Sequence, residues 1–329
     1  MNLVPVDALD ITVIVDNVTD GLSSTIPAAR SEMRALMAAA RPAGSASCLC
    51  CAAHGLSLLV TVMIEGSQRT LLFDTGPDAT VFERNVARLG IDLGAADELF
   101  LSHGHWDHCG AALLALDAIR ARSGRRTTPV HAHPGMFRAR GLRLGPDRVT
   151  WMDEIPSIRE LTEFGGDVST ETSAAGILGG AAYSSGEIPR TTAFERGMPG
   201  HVARLDDGTV VPDEEIVDER WLGVHVRGLG LVLLTACSHA GIGNIVAHAR
   251  AALRDVPLYA IVGGLHLAGS NEVHLEPSVE AVVASGATLL APGHCTGWRA
   301  VTALAHRHPG DLQPLAVGMR LTIGADTSA

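Results

Sequence analysis

The sequence has few aromatic residues, no excess of positive charge and no apolar run of membrane-spanning length. Phenylalanine, tryptophan and tyrosine make up 4% of the 329 residues, so alanine, valine, leucine and isoleucine must build the core. The formal net charge is −11, and the densest basic run is the short "RSGRRTT". Nucleic-acid-binding proteins usually present an electropositive surface, so we expect neither DNA nor RNA as a partner.

Secretion signals and cysteine pairs are also missing. The opening "MNLVPVDALDITVIVDNVTDG" lacks the basic and apolar segments of a signal peptide, and the apolar "LGLVLLTACSHAGIG" is too short to span a membrane. The cysteines form no paired CxxC units, which is unlike a zinc knuckle; they are Cys48, Cys50, Cys51, Cys109, Cys237 and Cys295. We therefore expect reduced thiols in a cytoplasmic protein without a membrane partner.

The composition, with 47% hydrophobic and 19% charged residues, is typical of a compact globular protein. Short β-type runs alternate with helical stretches, with no repeat or sharp boundary, which predicts one domain over residues 1–329. The stretch from about 134 to 225 is rich in glycine, serine, threonine and proline and weakly periodic. It is predicted to be an irregular insertion or lid that forms part of a substrate pocket.

Histidines mark the ends of several predicted strands. Three hydrophobic runs in the second half each end in a turn of small residues that carries a histidine, namely His239, His266 and His294. Residues that follow the carboxyl ends of neighbouring strands share one edge of a sheet, where ligand sites gather. Most of the remaining histidines, among them His54, are expected to have structural or surface roles.

The densest set of ligands is "HGHWDH" at residues 103–108, which follows a strand and starts a helix. In an extended segment His103 and His105 project to the same side, and Asp107 and His108 fall in the first helical turn. One cation cannot easily take all four donors from so short a loop, whereas two neighbouring cations can. The further ligands that each cation needs are available at His239, His266 and His294.

The motif "HGHWDH", with "LLFDTG" upstream, resembles the signature of the metallo-β-lactamase superfamily. The resemblance implies a four-layered αββα sandwich of the α/β class with a dinuclear metal site. It assigns His103, His105 and His239 to the first metal and Asp107, His108 and His294 to the second. Asp74 would orient a ligand or a turn without binding metal itself. The motifs "AAHGLSLLV", "SSGEIPR", "TACSHAGIGNIV", "IVGGLHL" and "APGHCTG" resemble a branch described as metal-dependent hydrolases. That branch includes proteins named dihydropterin–aminobenzene phosphate synthases.

The sequence departs from the superfamily pattern where most members have an aspartate that bridges the two metals. The corresponding segment is "GGLHL", which contains no acid. His266 is the ligand that the sequence offers there, either for a metal or as a general acid for a leaving group.

The resemblance implies a hydrolase that uses a metal-activated hydroxide, with Asp107 as a ligand and a proton acceptor. Zinc is the first choice of metal, with manganese or iron as alternatives. Arg190 suggests a small anionic ester, lactone or phosphoester as the substrate. A synthase-like transferase, an iron-dependent redox enzyme and a non-catalytic binding module on the same fold stay open, as does a homo-oligomer.

Overall fold

The computed structural model describes residues 3–38, 49–146 and 148–324, so Cys48 lies outside the described residues. Two large β-sheets form the centre of the molecule. The first sheet has eight strands, which are, in spatial order, β2 (Ala29–Arg30), β19 (Arg320–Gly324), β1 (Ala8–Val15), β3 (Ser57–Ile64), β4 (Ser67–Phe73), β5 (Glu98–Phe100), β6 (Thr128–Ala132) and β9 (Gly166–Thr170). The second has seven strands, which are β10 (Ala175–Ile177), β11 (Ala182–Ser184), β14 (Leu222–Val226), β15 (Gly230–Thr235), β16 (Leu258–Gly264), β17 (Leu289–Gly293) and β18 (Asp311–Leu312).

Helices cover the outer faces of both sheets. They are α1 (Glu32–Ala38), α2 (Ala79–Leu89), α3 (Trp106–Cys109), α4 (Ala112–Ser123), α5 (Ile158–Glu163), α6 (Ile242–Ala252), α7 (Leu275–Ala284) and α8 (Trp298–Arg307). The predicted helix over 78–90 is α2. The Asp78 side chain accepts a hydrogen bond from the Val81 N–H at its start, and Gly90 adopts φ 67° at its end.

Three apolar clusters correspond to the interfaces between layers. Strands of both sheets contribute to the central cluster, for example Ile11 of β1 and Leu234 of β15, both fully buried. Helices α2 and α4 pack on the first sheet, and α6, α7 and α8 pack on the second. Each fully buried aliphatic side chain contributes about 1.5–3 kcal/mol relative to exposure. The expected four-layered αββα sandwich is confirmed.

Parallel strands bring several chain segments to one edge of the sandwich. In the first sheet β4, β5 and β6 run parallel, and in the second β15, β16 and β17 run parallel. Their carboxyl ends deliver the loops that contain Asp74, His103, His239, His266 and His294. The strand-end histidines of the sequence therefore meet at one edge.

The stretch 134–225 is more regular than its sequence indicates. β9 extends the first sheet, while β10, β11 and β14 extend the second. Four further strands form a small antiparallel sheet, which are β7 (Ala139–Gly145), β8 (Arg148–Trp151), β12 (His201–Arg204) and β13 (Val210–Pro212). Three of these strands have only three or four residues, and β8 is largely exposed, so they lack the apolar alternation that would identify them in the sequence.

Candidate metal centre

The first ligand group joins the two sheets. His103 and His105 follow β5, and His239 follows β15; all three side chains are buried. His105 Nδ1 lies 3.1 Å from His103 Nε2 and 3.1 Å from His239 Nε2. Burial, reinforced by nearby cationic groups, holds the pKa values of all three imidazoles well below their usual value. The rings are therefore neutral, as metal ligands must be.

Hydrogen bonds fix the tautomers of the first two histidines. The Ser102 hydroxyl donates to Asp74 Oδ2 (2.7 Å), so its oxygen accepts the proton of His103 Nδ1 (2.9 Å). On the other side, His201 Nδ1 donates to the Asp213 carbonyl (3.0 Å), which makes His201 Nε2 an acceptor for His105 Nε2–H (3.1 Å). His103 Nε2 and His105 Nδ1 therefore carry lone pairs that face each other at 3.1 Å.

The second ligand group lies beside the first. Asp107 Oδ2 is 3.4 Å from His294 Nε2 and 3.7 Å from His108 Nε2. His108 Nδ1 donates to Asp74 Oδ2 (2.8 Å), and His294 Nδ1 donates to Asn17 Oδ1 (3.0 Å). Both Nε2 atoms are thus directed to Asp107, and His108 Nε2 is buried without a hydrogen-bond partner.

In the second ligand group, neighbouring charges shift the pKa of Asp107 downward and that of His108 upward. Burial raises the pKa of Asp107, but the imidazoles of His108 and His294 outweigh it and hold this pKa far below its usual range. Burial lowers the pKa of His108, yet Asp107 and Asp74 raise it to about 9. Since a ligating imidazole must be neutral, a cation bound at His108 replaces a proton.

The donor set fits divalent cations. The lone pairs of His103 Nε2 and His105 Nδ1, which face each other across 3.1 Å, repel unless a positive charge lies between them. With metal–nitrogen bonds of about 2.0–2.1 Å, adjacent nitrogens of a tetrahedral ion are about 3.3–3.4 Å apart. Imidazole and carboxylate donors suit zinc, iron and manganese. His103, His105 and His239 can hold one cation. Asp107, with His294 and His54 each at 3.4 Å and His108 at 3.7 Å, can hold a second.

His54, for which the sequence favours a structural role, belongs to the site. Its Nε2 lies 3.4 Å from Asp107 Oδ2, and its ring packs against that of His294 at 5.1 Å. The Asn17 amide donates to His54 Nδ1 (3.2 Å), which leaves the His54 proton on Nε2, directed at the carboxylate. The "HG" of "AAHG" is the only hint in the sequence, because Asn17 and His54 meet Asp107 only in the folded chain.

Cys237 also reaches the centre, while His266 lies to one side. The Cys237 thiol forms a group with His103 and His108, whose ligand atoms all lie within 4.8 Å of one another. His266 is grouped instead with Cys237 and Cys295, and its Nδ1 is 3.7 Å from Cys237 Sγ. In place of the missing bridging acid, the structure therefore brings a thiol between the two triads.

A cavity of about 280 Å³ opens beside the first triad. His239 and His266 lie in its wall, together with apolar side chains such as Phe194, Leu265 and Val273. Arg190 is not among the lining residues; its guanidinium donates to the carbonyl oxygens of Ile188, Glu215 and Ile216. The arginine in the wall of the cavity is Arg196, which is exposed.

Three consecutive buried charges, Asp218, Glu219 and Arg220, hold the loops that carry the ligands. Asp218 accepts from the Gly104 N–H (2.8 Å), and Glu219 accepts from the N–H groups of His239 and Ala240 (2.7 Å each). Arg220 donates to the carbonyls that end β5 and β6, at Leu101 and His131. Sequence reasoning missed this segment, because "DER" in a polar stretch is typical of a solvated loop.

Gly104 is required by close packing. A Cβ at this position would lie 2.4 Å from the Met136 carbonyl oxygen and 2.7 Å from Arg140 Nη1. Cys109 lies nearby with its thiol fully buried, where it contacts the His103 carbonyl oxygen at 3.4 Å. Burial raises its pKa well above the usual value, so it is an inert thiol. The described cysteines, which exclude Cys48, form no disulfide.

Solved structures share this architecture. Tm1679, described as a metal-dependent hydrolase of the beta-lactamase superfamily, has a TM-score of 0.71 at 24% identity, with 96% of this chain and 100% of that chain covered. The metallo-beta-lactamase fold protein YhfI from Bacillus subtilis has a TM-score of 0.52 at 13% identity, with the same coverage of both chains. At these identities, the likeness establishes the fold.

Sequence comparison gives the family. A Methanocaldococcus jannaschii protein named 7,8-dihydropterin-6-methyl-4-(beta-D-ribofuranosyl)-aminobenzene-5'-phosphate synthase is 27% identical over 268 residues, which cover 80% of this chain and 88% of that protein. The family described as the metallo-beta-lactamase superfamily matches residues 57–294, well over half of the chain. The resemblance read from "HGHWDH" is confirmed, and the chain belongs to the metallo-beta-lactamase superfamily.

Proposed function

We propose that the protein is a metal-dependent hydrolase that cleaves an ester, lactone or phosphoester bond of a small anionic substrate. The observation that carries this proposal is the pair of adjacent triads beside a cavity, with the lone pairs of His103 Nε2 and His105 Nδ1 facing each other across 3.1 Å. His103, His105 and His239 would hold one cation, and Asp107, His108 and His294 the other. When bound, the two cations supply Lewis-acid stabilisation of negative charge and lower the pKa of water.

Side chains around the triads can hold and move protons. The pKa of Asp107 is held far below its usual range, so its carboxylate is charged. The His54 Nε2–H points at one of the carboxylate oxygens, with the nitrogen 3.4 Å from Oδ2. The His54 side chain is 60% exposed, so it can exchange this proton with solvent. His266 lines the same cavity, with its ring packed against that of His239 at 4.3 Å, within reach of a leaving group there. Asp107 and His54 therefore form one proton path and His266 a second.

The cavity sets the kind of substrate. Its wall combines apolar side chains, among them Phe194 and Val273, with the guanidinium of Arg196. An arginine beside an apolar wall suits a small molecule that carries both a hydrophobic part and a phosphate or carboxylate. The guanidinium of Arg190 is engaged by the backbone carbonyls of Ile188 and Glu215 away from the cavity, so we assign anion recognition to Arg196.

The net charge of the chain bears on its partners and its location. With a net charge of −11, we propose a small-molecule substrate and no nucleic-acid partner, in a cytoplasmic location. Among the described residues, no helix has both the length and the apolar character needed to cross a bilayer.

Metal analysis and substrate screening test the proposal. We expect about two zinc, manganese or iron ions per chain by plasma mass spectrometry, and turnover of carboxylic esters, lactones or phosphodiesters that chelation abolishes. His103→Ala and Asp107→Ala should each abolish turnover. The exposed His306 provides the matched control, and His306→Ala should change neither the metal content nor the rate. Protein that takes up no metal would instead be a binding module, and activity retained in both variants would contradict the assignment.

Group transfer is the second candidate, favoured by the likeness to the synthase over 80% of this chain. The same cation site can stabilise charge on a phosphate or an aromatic amine during transfer. An aminobenzene ribosyl phosphate supplied with a dihydropterin that carries a phosphate-type leaving group on its methyl carbon would then give a joined product and the released leaving group, both detected by mass spectrometry. Hydrolysis in water enriched in heavy oxygen would instead label the product of a single substrate.

A further inference from the structure

Cys237 is the one thiol between the two ligand groups in the described part of the chain. It lies in the turn after β15, two residues before His239, and its side chain is buried. The Cys237 Sγ and the ligand nitrogens of His103, from the first triad, and His108, from the second, all lie within 4.8 Å of one another. The same Sγ lies 3.6 Å from His294 Nε2. A single sulfur atom is thus within reach of ligands from both triads.

The distances match those of a coordinated sulfur. Zinc–sulfur bonds are about 2.3 Å and zinc–nitrogen bonds about 2.0–2.1 Å, so sulfur and nitrogen on one tetrahedral ion are about 3.5–3.6 Å apart. The observed Cys237 Sγ to His294 Nε2 distance is 3.6 Å. By contrast, the ligand nitrogen of His266 lies within 4.8 Å of the Cys237 and Cys295 sulfurs and forms no such set with the histidines of either triad.

We propose that the Cys237 thiolate is a shared ligand of both cations, in the place where the sequence lacks a bridging acid. This inference rests on the proposed two-cation site. Metal binding exchanges the thiol proton for a sulfur–metal bond and releases that proton to solvent. The thiolate adds a second negative charge to that of Asp107 at a site that binds two dications.

A sulfur ligand also narrows the choice of metal. Thiolate is a soft donor that favours zinc or iron, whereas manganese prefers oxygen donors. The centre therefore selects zinc or iron over manganese, and Cys237 is the residue responsible.

Cys295 supports the shared sulfur from outside the centre. Its Sγ lies 3.2 Å from Cys237 Sγ and 3.3 Å from the Cys237 carbonyl oxygen. Two thiolates on one tetrahedral zinc are about 3.8 Å apart, so 3.2 Å corresponds to an S–H···S hydrogen bond, which Cys237 donates to Cys295. When Cys237 gives up its proton to bind metal, the Cys295 thiol still donates to the Cys237 carbonyl oxygen and so holds the turn that carries the shared sulfur.

Cobalt substitution tests the assignment without reference to activity. Purified protein is stripped of metal, loaded with two equivalents of Co(II) and examined for the near-ultraviolet sulfur-to-cobalt charge-transfer band. We expect this band in the wild-type protein, in Cys295→Ser and in the control Cys109→Ser, and its loss in Cys237→Ser. Cys237→Asp, which restores an acid, should bind two cobalt ions without the band.

X-ray absorption of the zinc-loaded protein tests the sharing. A shared sulfur gives one sulfur neighbour per zinc at about 2.3 Å, and a terminal sulfur gives one per two zinc ions. Two bound cobalt ions without a sulfur band, or a terminal sulfur, would overturn this inference and leave the proposed hydrolase intact. Loss of the band in Cys295→Ser would overturn it in favour of a site formed by Cys237, His266 and Cys295. A protein that binds no cobalt would overturn both proposals.

Discussion

At the scale of single residues, hydrogen bonds fix proton positions and so determine which ring nitrogens are available to bind a metal. Asn17 accepts the His294 proton through Oδ1 and donates to His54 through Nδ2. One amide thus leaves the His294 Nε2 free to bind a cation and the His54 proton on Nε2, although both rings lie next to Asp107. The two histidines should therefore respond differently to substitution.

We predict that His54→Gln lowers turnover by about 10²–10⁴-fold, the usual contribution of a positioned acid–base group, without loss of metal. The measurements are kcat on the best substrate and metal content per chain. His294→Gln should instead lower the metal content, and His306→Gln should change neither quantity. If His54→Gln also loses a cation, His54 is a ligand and the proton assignment fails.

The sequence predicts the candidate ligands better than the residues around them. The "HGHWDH" motif and the strand ends predict all six residues that the structure brings together in the two triads, but the strand ends also predict His266, which lies instead with Cys237 and Cys295. His54, Cys237 and His201 acquire their positions only from tertiary packing, because they lie on separate loops and one small strand. Neither spacing nor residue type distinguishes them from ordinary buried side chains.

At the scale of elements, the small sheet of β7, β8, β12 and β13 is tied to the ligand loop by a buried ion pair. Arg140 of β7 donates to both carboxylate oxygens of Asp218 and, through Nε, to Asp213 Oδ2 (3.0 Å). Asp218 in turn accepts from the Gly104 N–H, between two metal ligands. The strands that sequence analysis assigns to an irregular insertion thus position the metal centre.

We predict that Asp218→Asn destabilises the protein by about 3 kcal/mol, because it removes the bidentate carboxylate partner of the buried Arg140 and leaves Asp213 alone to balance that charge. Burial raises the pKa of Asp218, but Arg140 outweighs it and holds this pKa well below its usual value. A depressed folded-state pKa gives stability that is present above the unfolded pKa of about 4 and is lost as the pH falls below it. Denaturant unfolding at pH 7 and across the acidic range measures both effects.

The control for Asp218→Asn is Asp117→Asn, at an exposed ion pair with Arg120 that is worth at most about 1 kcal/mol. The wild-type free energy of unfolding should fall in acid, and Asp218→Asn should have a smaller slope there. Equal stability of the two variants would mean that the buried pair does not hold the small sheet to the ligand loop.

At the scale of the whole molecule, the metal centre connects the two sheets. Each triad combines donors from the loop after β5 in the first sheet with a histidine after a strand of the second, either His239 or His294. Without cations, the first triad brings three neutral imidazoles together, and His103 Nε2 and His105 Nδ1 present lone pairs to each other at 3.1 Å. Bound cations would replace this repulsion with bonds between the sheets.

We therefore predict that removal of metal by a chelator lowers the thermal unfolding temperature, and that added zinc restores it. A ligand that binds only the folded state at 100 times its dissociation constant stabilises that state by about 2.7 kcal/mol. His294→Ala, which removes a donor of the second sheet, should reduce the difference between the zinc-loaded and chelated forms, whereas His306→Ala should preserve it. Calorimetry with parallel metal analysis measures both quantities. An unfolding temperature that stays constant while the cations leave would show that the central apolar layer alone joins the sheets, and that the metals serve only the chemistry.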